Sequence, residues 1–298
     1  MCSQLLVRLP YLLTRKVTFN GSRSPNGIRP RAEHRLNINP KNGAMLMPSY
    51  PDTIRMETIG ERFQELTKHV RSMLTGKRLN WSAKPPAYKE FPQAERLPLP
   101  PPTAATSSVD EALHARRSVR RFVPGSLSIH ELSYLLWAAT GAREQRQGHL
   151  FRTSPSAGGL YPIETYVLVN QVEDLPPGLY HYDVRDHSLQ RLKAGPLGRE
   201  AAACALDQAM CAQAPLALVH TAVFERTVWK YGQRGYRYIY LDAAHVAANM
   251  AIAAASMGLG SCQIAAMYDD EMNSLLGVDG TRESAVYMSV VGRPAKGE

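Results

Sequence analysis

Tyr236–Ile264, YRYIYLDAAHVAANMAIAAASMGLGSCQI, is the stretch on which the fold turns. Tyr240, Ala243, Ala244, Ala247, Met250, Ala251 and Ala254 recur at spacings of three and four, the period of a helix. Much of the opposite side is also Ala, joined by Ile252 and Ala253, and a helix apolar nearly all round is buried on most sides. Small side chains let other elements, or a second copy of the chain, approach its backbone. Gly258 suits the left-handed turn that ends such a helix, and SCQIA after Gly260 is an extended run. A glycine turn there can set bare N–H groups against a ligand. Taken alone, the stretch is better read as a core helix with an ordinary cap.

Outward from this helix, strands and helices are mixed. Leu216–Phe224 is a buried strand, and Leu197–Cys211 is an Ala-rich helix. Gly178–Leu192 has the pattern of a hairpin, and Ile163–Asn170 alternates as a strand. Downstream, a short helix begins near Asp269–Asp270–Glu271, whose acids suit an N-terminal dipole, and Ala285–Val291 is the last strand. Upstream, Ser108–Glu111 and Ser128–Glu131 have the S-x-x-E form of capping boxes; the second opens a helix through Leu132, Leu135, Leu136 and Ala139 that Gly141 closes. GAREQRQGHLFRTSPSAGGLYP is expected to be a polar loop. Residues 53–75 form an amphipathic helix on Ile54, Ile59, Phe63, Leu66, Val70 and Leu74, and the proline-rich segment after it wraps the domain surface in extended form. The expected organisation is a basic extension over 1–52, a helix and proline-rich lead-in over 53–106, and an α+β domain over 107–298.

The net charge of +9 on 298 residues invites a nucleic-acid reading, but its distribution argues against one. Residues 1–50 hold eight Lys/Arg and one Glu, so the rest of the chain is nearly neutral. The basic stretch reads as mostly disordered. It fits a transit peptide, a nucleic-acid arm or, preferably, translated sequence upstream of a start at Met45 or Met47. Asp242, His245 and Asn249 interrupt the long helix, so no run reaches the ~18 apolar residues of a membrane span. Four cysteines without CxxC spacing fit a reducing cytoplasm, and nine scattered histidines without an HxxxH pair point to no metal.

Three stretches could carry chemistry. Arg116–Arg117–Ser118–Val119–Arg120–Arg121 offers four guanidiniums and a hydroxyl that could grip a phosphate, or it is a solvated basic run. Ser154–Pro155–Ser156–Ala157–Gly158–Gly159 exposes backbone to a polar ring or an anion, or is a loop tip. Lys230–Tyr231 could exchange a proton, with Arg234 and Arg237 near enough in sequence to bias it, or is a surface turn. There is no GxGxxG after a strand, no Walker A and no GxSxG.

Together these residues resemble the flavin-dependent nitroreductase superfamily, and within it the SagB-type dehydrogenases, over about residues 53–296. ELTKH…LNWSAKPPAYKEFP…LPLP is similar to that group's lead-in, and RRSVRRF, SPSAGGLYPIETYVLV, LYHYD, KYGQRGYRYIYLDAAHVAANM, GLGSCQI and VVGRP follow in family order. The resemblance implies a nitroreductase-like fold with a mixed central sheet flanked by helices, in a domain-interlocked homodimer that binds FMN at its interface. By that likeness Arg116, Arg117, Ser118 and Arg120, with Arg293, would hold the FMN phosphate, ribityl chain and pyrimidine edge. Pro155, Ser156, Ala157 and Gly159 would come from the partner subunit and border the ring, which Cys262, Gln263, Ile264 and Ala265 would line. Gln263–Ile264–Ala265–Ala266 stands where many nitroreductases have Pro-Ile-Glu-Gly, so a carboxylate is missing, which puts nicotinamide selectivity in doubt. Lys230 and Tyr231 stand where SagB-type enzymes carry the pair that handles the substrate proton as an azoline in a peptide becomes an azole. The resemblance also raises NAD(P)H as a co-substrate, a small-molecule or peptide substrate, and a cyclodehydratase partner; it leaves nucleic acid a remote alternative. A stand-alone nitro- or quinone reductase is the competing function.

Overall fold

The computed structural model describes residues 57–73 and 78–298. The chain divides into two compact units, 1–62 and 63–298. Of the first, only 57–62 are described, the opening residues of helix α1 (Glu57–Leu66). The expected basic extension lies outside the described residues, as do Ile54 and Leu74.

In the second unit, β1 (Glu95–Pro98), helices α2 (Val109–Ala115) and α3 (Ile129–Thr140), and the hairpin β2 (Ala142–Arg146) and β3 (His149–Arg152) come first. They are followed by β4 (Ile163–Val169), β5 (Gly178–Asp183), β6 (Ser188–Ala194), α4 (Gly198–Cys204), α5 (Met210–Gln213) and β7 (Leu216–Val223). The chain ends with α6 (Phe224–Tyr231), α7 (Gly235–Ser256), β8 (Gly260–Ile264), α8 (Asp269–Leu276) and β9 (Glu283–Gly292). Seven strands form one sheet in the order β1-β6-β5-β4-β7-β9-β8. The expectation of a mixed sheet needs correcting, because every pairing is antiparallel. The helical crossover from β7 to β8 does join two strands of the same direction, but β9 runs between them in the opposite sense.

Side chains alternate across the strands and fill two cores. Val167 and Val169 of β4 and Leu216 and Leu218 of β7 face α3 and α7, while Tyr166, Leu168, Ala217 and Val219 face α4, α5 and α8. With helices on both faces, LALVHTAV needs apolar residues at successive positions. Both capping boxes form: Ser108 and Ser128 accept from the amides of Glu111 and Glu131, and each glutamate accepts from the Ser amide. Helix α7 ends at Gly258 in the left-handed region (φ 71°). There Leu259 N bonds Ala254 O and Gly258 N bonds Ala255 O, both N–H groups donating.

Four expectations of local structure change. The 53–75 helix stops at Leu66, where the Thr67 hydroxyl donates to Phe63 O and Arg234 and Arg237 bond the last carbonyls. The polar loop after Gly141 starts as a hairpin, because Gln147 and Gly148 take positive φ (49° and 78°) and make a two-residue turn. The Leu197–Cys211 helix breaks into α4 and α5 at Leu206 and Asp207, both left-handed. Helix α7 is not covered all round either: Tyr240, Leu241, Ala244, His245 and Ala248 are exposed along one face.

Candidate active site

The loop before β4 is fixed from α7. Asp242 sits on the buried face of that helix; its Oδ2 accepts from Ser156 Oγ at 2.5 Å, and its carboxylate also accepts the Ala157 amide. Ser156 Oγ in turn accepts from Tyr161 N at 2.9 Å. Burial pushes the Asp242 carboxyl above its ordinary value, partly offset by these donors. The clamp presents Gly158 (φ 66°) to the end of α6, where a Cβ at 158 would lie 2.5 Å from Tyr231 Oη and 2.9 Å from Lys230 Nζ. Lys230 Nζ stands 5.3 Å from the Tyr231 ring centre, and Tyr231 meets Tyr238 edge-on. Arg234 and Arg237 are held by the 63–67 segment through Thr67.

The arginine run extends along the sheet edge. Val119 N donates to Ser261 O, with Ser118 bridging Ser261 beside β8. Val123 N donates to Arg293 O and Ala295 N to Arg121 O. Gly260 is required for this approach, since a Cβ there would meet the Val119 side chain at 2.8 Å. Arg116 and Arg117 border a 150 Å³ recess floored by Ala251, Gly258 and Gly260. An acid already rests on neighbouring donors: Glu298 accepts from Arg121 Nε at 2.6 Å and Arg120 N at 3.1 Å, and its carbonyl accepts from Arg117. Arg121 foremost holds the Glu298 carboxyl below its ordinary value. That carboxylate stands in for an oxyanion, so the donor set suits a phosphate. At 150 Å³ the recess is large enough for a phosphate but not for a three-ring flavin, whose larger part would lie beyond it.

A larger cavity, 380 Å³, lies on the other side of Gly158 and Gly159. Lead-in residues Lys84, Pro85, Ala87 and Tyr88 and hairpin residues 148–152 form its walls, with Tyr161 and Arg226. Under it, Glu164 takes Arg226 Nη1 at 2.6 Å and His181 Nε2 at 2.9 Å. Burial pushes Glu164 up, but the His181 hydrogen bond and the charges of Arg226, His181 and Arg152 prevail and hold it at about 2. Arg226 also donates from Nε to Pro86 O, which ties the lead-in to the domain.

The structure thus brings Gly158, between Ala157 and Gly159 of the loop that Asp242 clamps at Ser156, beside Lys230 and Tyr231 of the same chain; on the sheet edge Arg120 acts on Cys262, and Ser118, Arg116 and Arg117 lie by Ser261. Cys262 is buried, which raises its thiol against the lowering charge of Arg120; Gln263 is half-buried, Ile264 buried and Ala265 exposed. The Arg293 guanidinium does not join the run but pairs with Glu131 at 3.0 Å. Asp242, Glu164, Arg152 and Arg226 are additions to the residues expected from sequence. Their signal was an ionisable residue inside an apolar repeat, and only the fold supplies the partner.

Helices on both faces of one antiparallel sheet, a clamped glycine loop and an arginine-bordered recess at the end of a helix define an α+β scaffold with a candidate anion-binding site. The profile of the Nitroreductase family matches residues 113–293, and the chain belongs to that family of oxidoreductases. It is 39% identical over 185 residues to a protein of Methanocaldococcus jannaschii named as a nitroreductase, covering 62% of this chain and 90% of that one. It is 33% identical over 150 residues to the trifolitoxin-processing protein of Rhizobium leguminosarum bv. trifolii, covering 49% of this chain and only 40% of that one. A solved structure of a nitroreductase-type protein from Anabaena variabilis superposes with TM-score 0.65 at 29% identity, over 78% of this chain and 45% of the other. Among the described residues, no helix is long and apolar enough to cross a membrane, and no group of side chains suits a metal ion.

Proposed function

We propose that the protein is an FMN-dependent oxidoreductase of the SagB-type dehydrogenase group, acting as a homodimer on an azoline-bearing peptide. One observation carries the reading. Lys230 and Tyr231 fold against Gly158, in the loop whose likeness to the family assigns it to the flavin ring. The name of the Rhizobium relative, a trifolitoxin-processing protein, supports a peptide substrate.

Arg116, Arg117 and Arg120 would hold the phosphate by charge and forked donors. When bound, FMN would supply the two-electron acceptor for the hydride. Tyr231 Oη or Lys230 Nζ, whichever of the pair is deprotonated, would take the proton that leaves the ring carbon of the azoline as the hydride departs. Asp242 keeps the loop rigid so that this proton acceptor and the ring stay in register, which is worth more than any single contact. The exposed face of α7 would be covered by the second copy.

The test begins with the absorption spectrum of purified protein and continues with azoline turnover. A yellow preparation in which Lys230→Ala keeps its flavin but loses azoline oxidation by at least a hundredfold supports the reading. Normal turnover by that variant overturns the proton role. The second reading, an NAD(P)H-dependent nitro- or quinone reductase, is favoured by the Methanocaldococcus relative, 90% of which aligns with this chain. Rapid anaerobic bleaching of the flavin by NADPH would select it.

A further inference from the structure

Two guanidiniums and one carboxylate are buried together under the 380 Å³ cavity. Arg152 is only 6% exposed, Arg226 4% and Glu164 4%. Glu164 is already taken, by Arg226 at 2.6 Å and by His181 at 2.9 Å. Arg152 reaches no acid. Its Nη1 has only distant contacts, Thr140 Oγ1 at 3.4 Å and Ile163 O at 3.5 Å, and its Nε has no partner among the described residues. The charged and titratable groups that act on it include Glu164, Arg226, Tyr88, Tyr161 and Tyr182, and with two guanidiniums to one carboxylate the trio of Arg152, Arg226 and Glu164 carries one positive charge in excess. A buried cation without its counter-ion is costly, and a site that keeps one is built for an anion that arrives.

The cavity fits that part. Its lining contains Lys84 and His149 besides the two arginines, and no Asp or Glu. Tyr88, Phe151 and Tyr161 give it flat apolar walls, and the Arg152 guanidinium lies 4.8 Å from the Tyr161 ring centre. Gly158 borders both this cavity and the Lys230–Tyr231 pair.

We propose that this cavity is a substrate subsite that takes a carboxylate, held by Arg152 and drawn in by Lys84, while the reacting part of the same molecule lies past Gly158 at Lys230 and Tyr231. The inference rests on the oxidoreductase reading for the second half of that sentence and on the cavity alone for the first. A carboxylate matches the cluster better than a phosphate, because only one positive charge is uncompensated. Charge-assisted bonds to a desolvated arginine separate a carboxylate from its neutral amide by about tenfold or more.

Calorimetric titration of the holoprotein with benzoate and with benzamide tests this without turnover. Benzoate is expected to bind at least tenfold tighter than benzamide. Arg152→Gln should remove that preference while benzamide binding and the flavin spectrum stay unchanged. Lys84→Gln, at an exposed position, should weaken benzoate about two- to threefold by lost attraction and serves if Arg152→Gln fails to fold. Equal binding of the two probes, or a preference that survives Arg152→Gln, overturns the subsite. Displacement of benzoate by NADPH but not NADH would give the cavity to a nucleotide phosphate and overturn the carboxylate assignment. A colourless protein that still prefers benzoate would refute the flavin reading and leave the subsite standing.

Discussion

At the scale of single residues, two positions decide most. Gly158 can approach Tyr231 and Lys230 only because it lacks a side chain and holds φ at 66°. Gly158→Ala is therefore expected to displace the pair, lowering the proposed azoline turnover at least tenfold while thermal stability changes by about 1–2 kcal/mol. Parallel activity and denaturation measurements separate the two. Glu164 makes a different prediction. Its folded carboxyl sits at about 2, below its ordinary value, so the stability it supplies is complete above that ordinary value and is lost as pH falls through about 2. Glu164→Gln should cost roughly 3 kcal/mol near neutral pH, since it leaves Arg226 buried without its acid. The gap between wild type and variant should close as pH falls from the ordinary carboxyl range toward 2, which urea titrations along that range would follow. A gap that stays constant would show the carboxylate to be unimportant. Neither role was legible in the residues: Glu164 stands in the strand pattern IETYVLV, and nothing local names Arg226, 62 positions away, as its partner.

At the scale of elements, legibility followed how local the cause was. Both capping boxes, the glycine end of α7 and the strand cores of β4 and β7 came from signals within a few residues, and they formed where expected. The break between α4 and α5 did not, because two exposed residues in left-handed conformation, Leu206 and Asp207, interrupt a run that is otherwise helical by composition. Helix α6 was also missed, since FERTVWKY is short and has no capping side chain of its own. For the candidate site, the arginine run and the glycine loop were visible as stretches, whereas their placement depended on Val119 meeting Gly260 and on Asp242 reaching Ser156. The α7 terminus gives an element-scale prediction. Gly258 has φ 71° with open space where a Cβ would be, so Gly258→Ala meets strain and no clash. It should cost about 1 kcal/mol, read as a lower denaturation midpoint at unchanged slope. A loss several times larger would mean that the turn carries more than the cap.

At the scale of the whole molecule, the unit 63–298 leaves apolar surface uncovered beside its arginine recess. Tyr240 is 52% exposed and Leu241 56%, with Ala244 and Ala248 bare on the same face of α7. On α2, which packs against α7, Val109 is 67% and Leu113 53% exposed. Contiguous apolar surface of this kind usually marks an interface. It also bears on the cofactor, because the 150 Å³ recess between the arginines and Gly258 cannot enclose a flavin. A second copy laid on α7 would supply both the missing cover and the missing wall, so assembly and flavin retention should fail together. Leu241→Arg puts a charge in the middle of that face without touching the arginine run or the Asp242 clamp. Wild type is expected to sediment at twice 33.0 kDa and to be yellow. The variant should sediment as single chains, hold its fold by circular dichroism, and bind FMN at least tenfold more weakly, since a desolvated charge at such an interface costs well over 1.4 kcal/mol. A variant that is monomeric yet binds flavin as tightly as wild type would detach the cofactor from the dimer, and a wild-type protein that is yellow as a single chain would do so without any mutation.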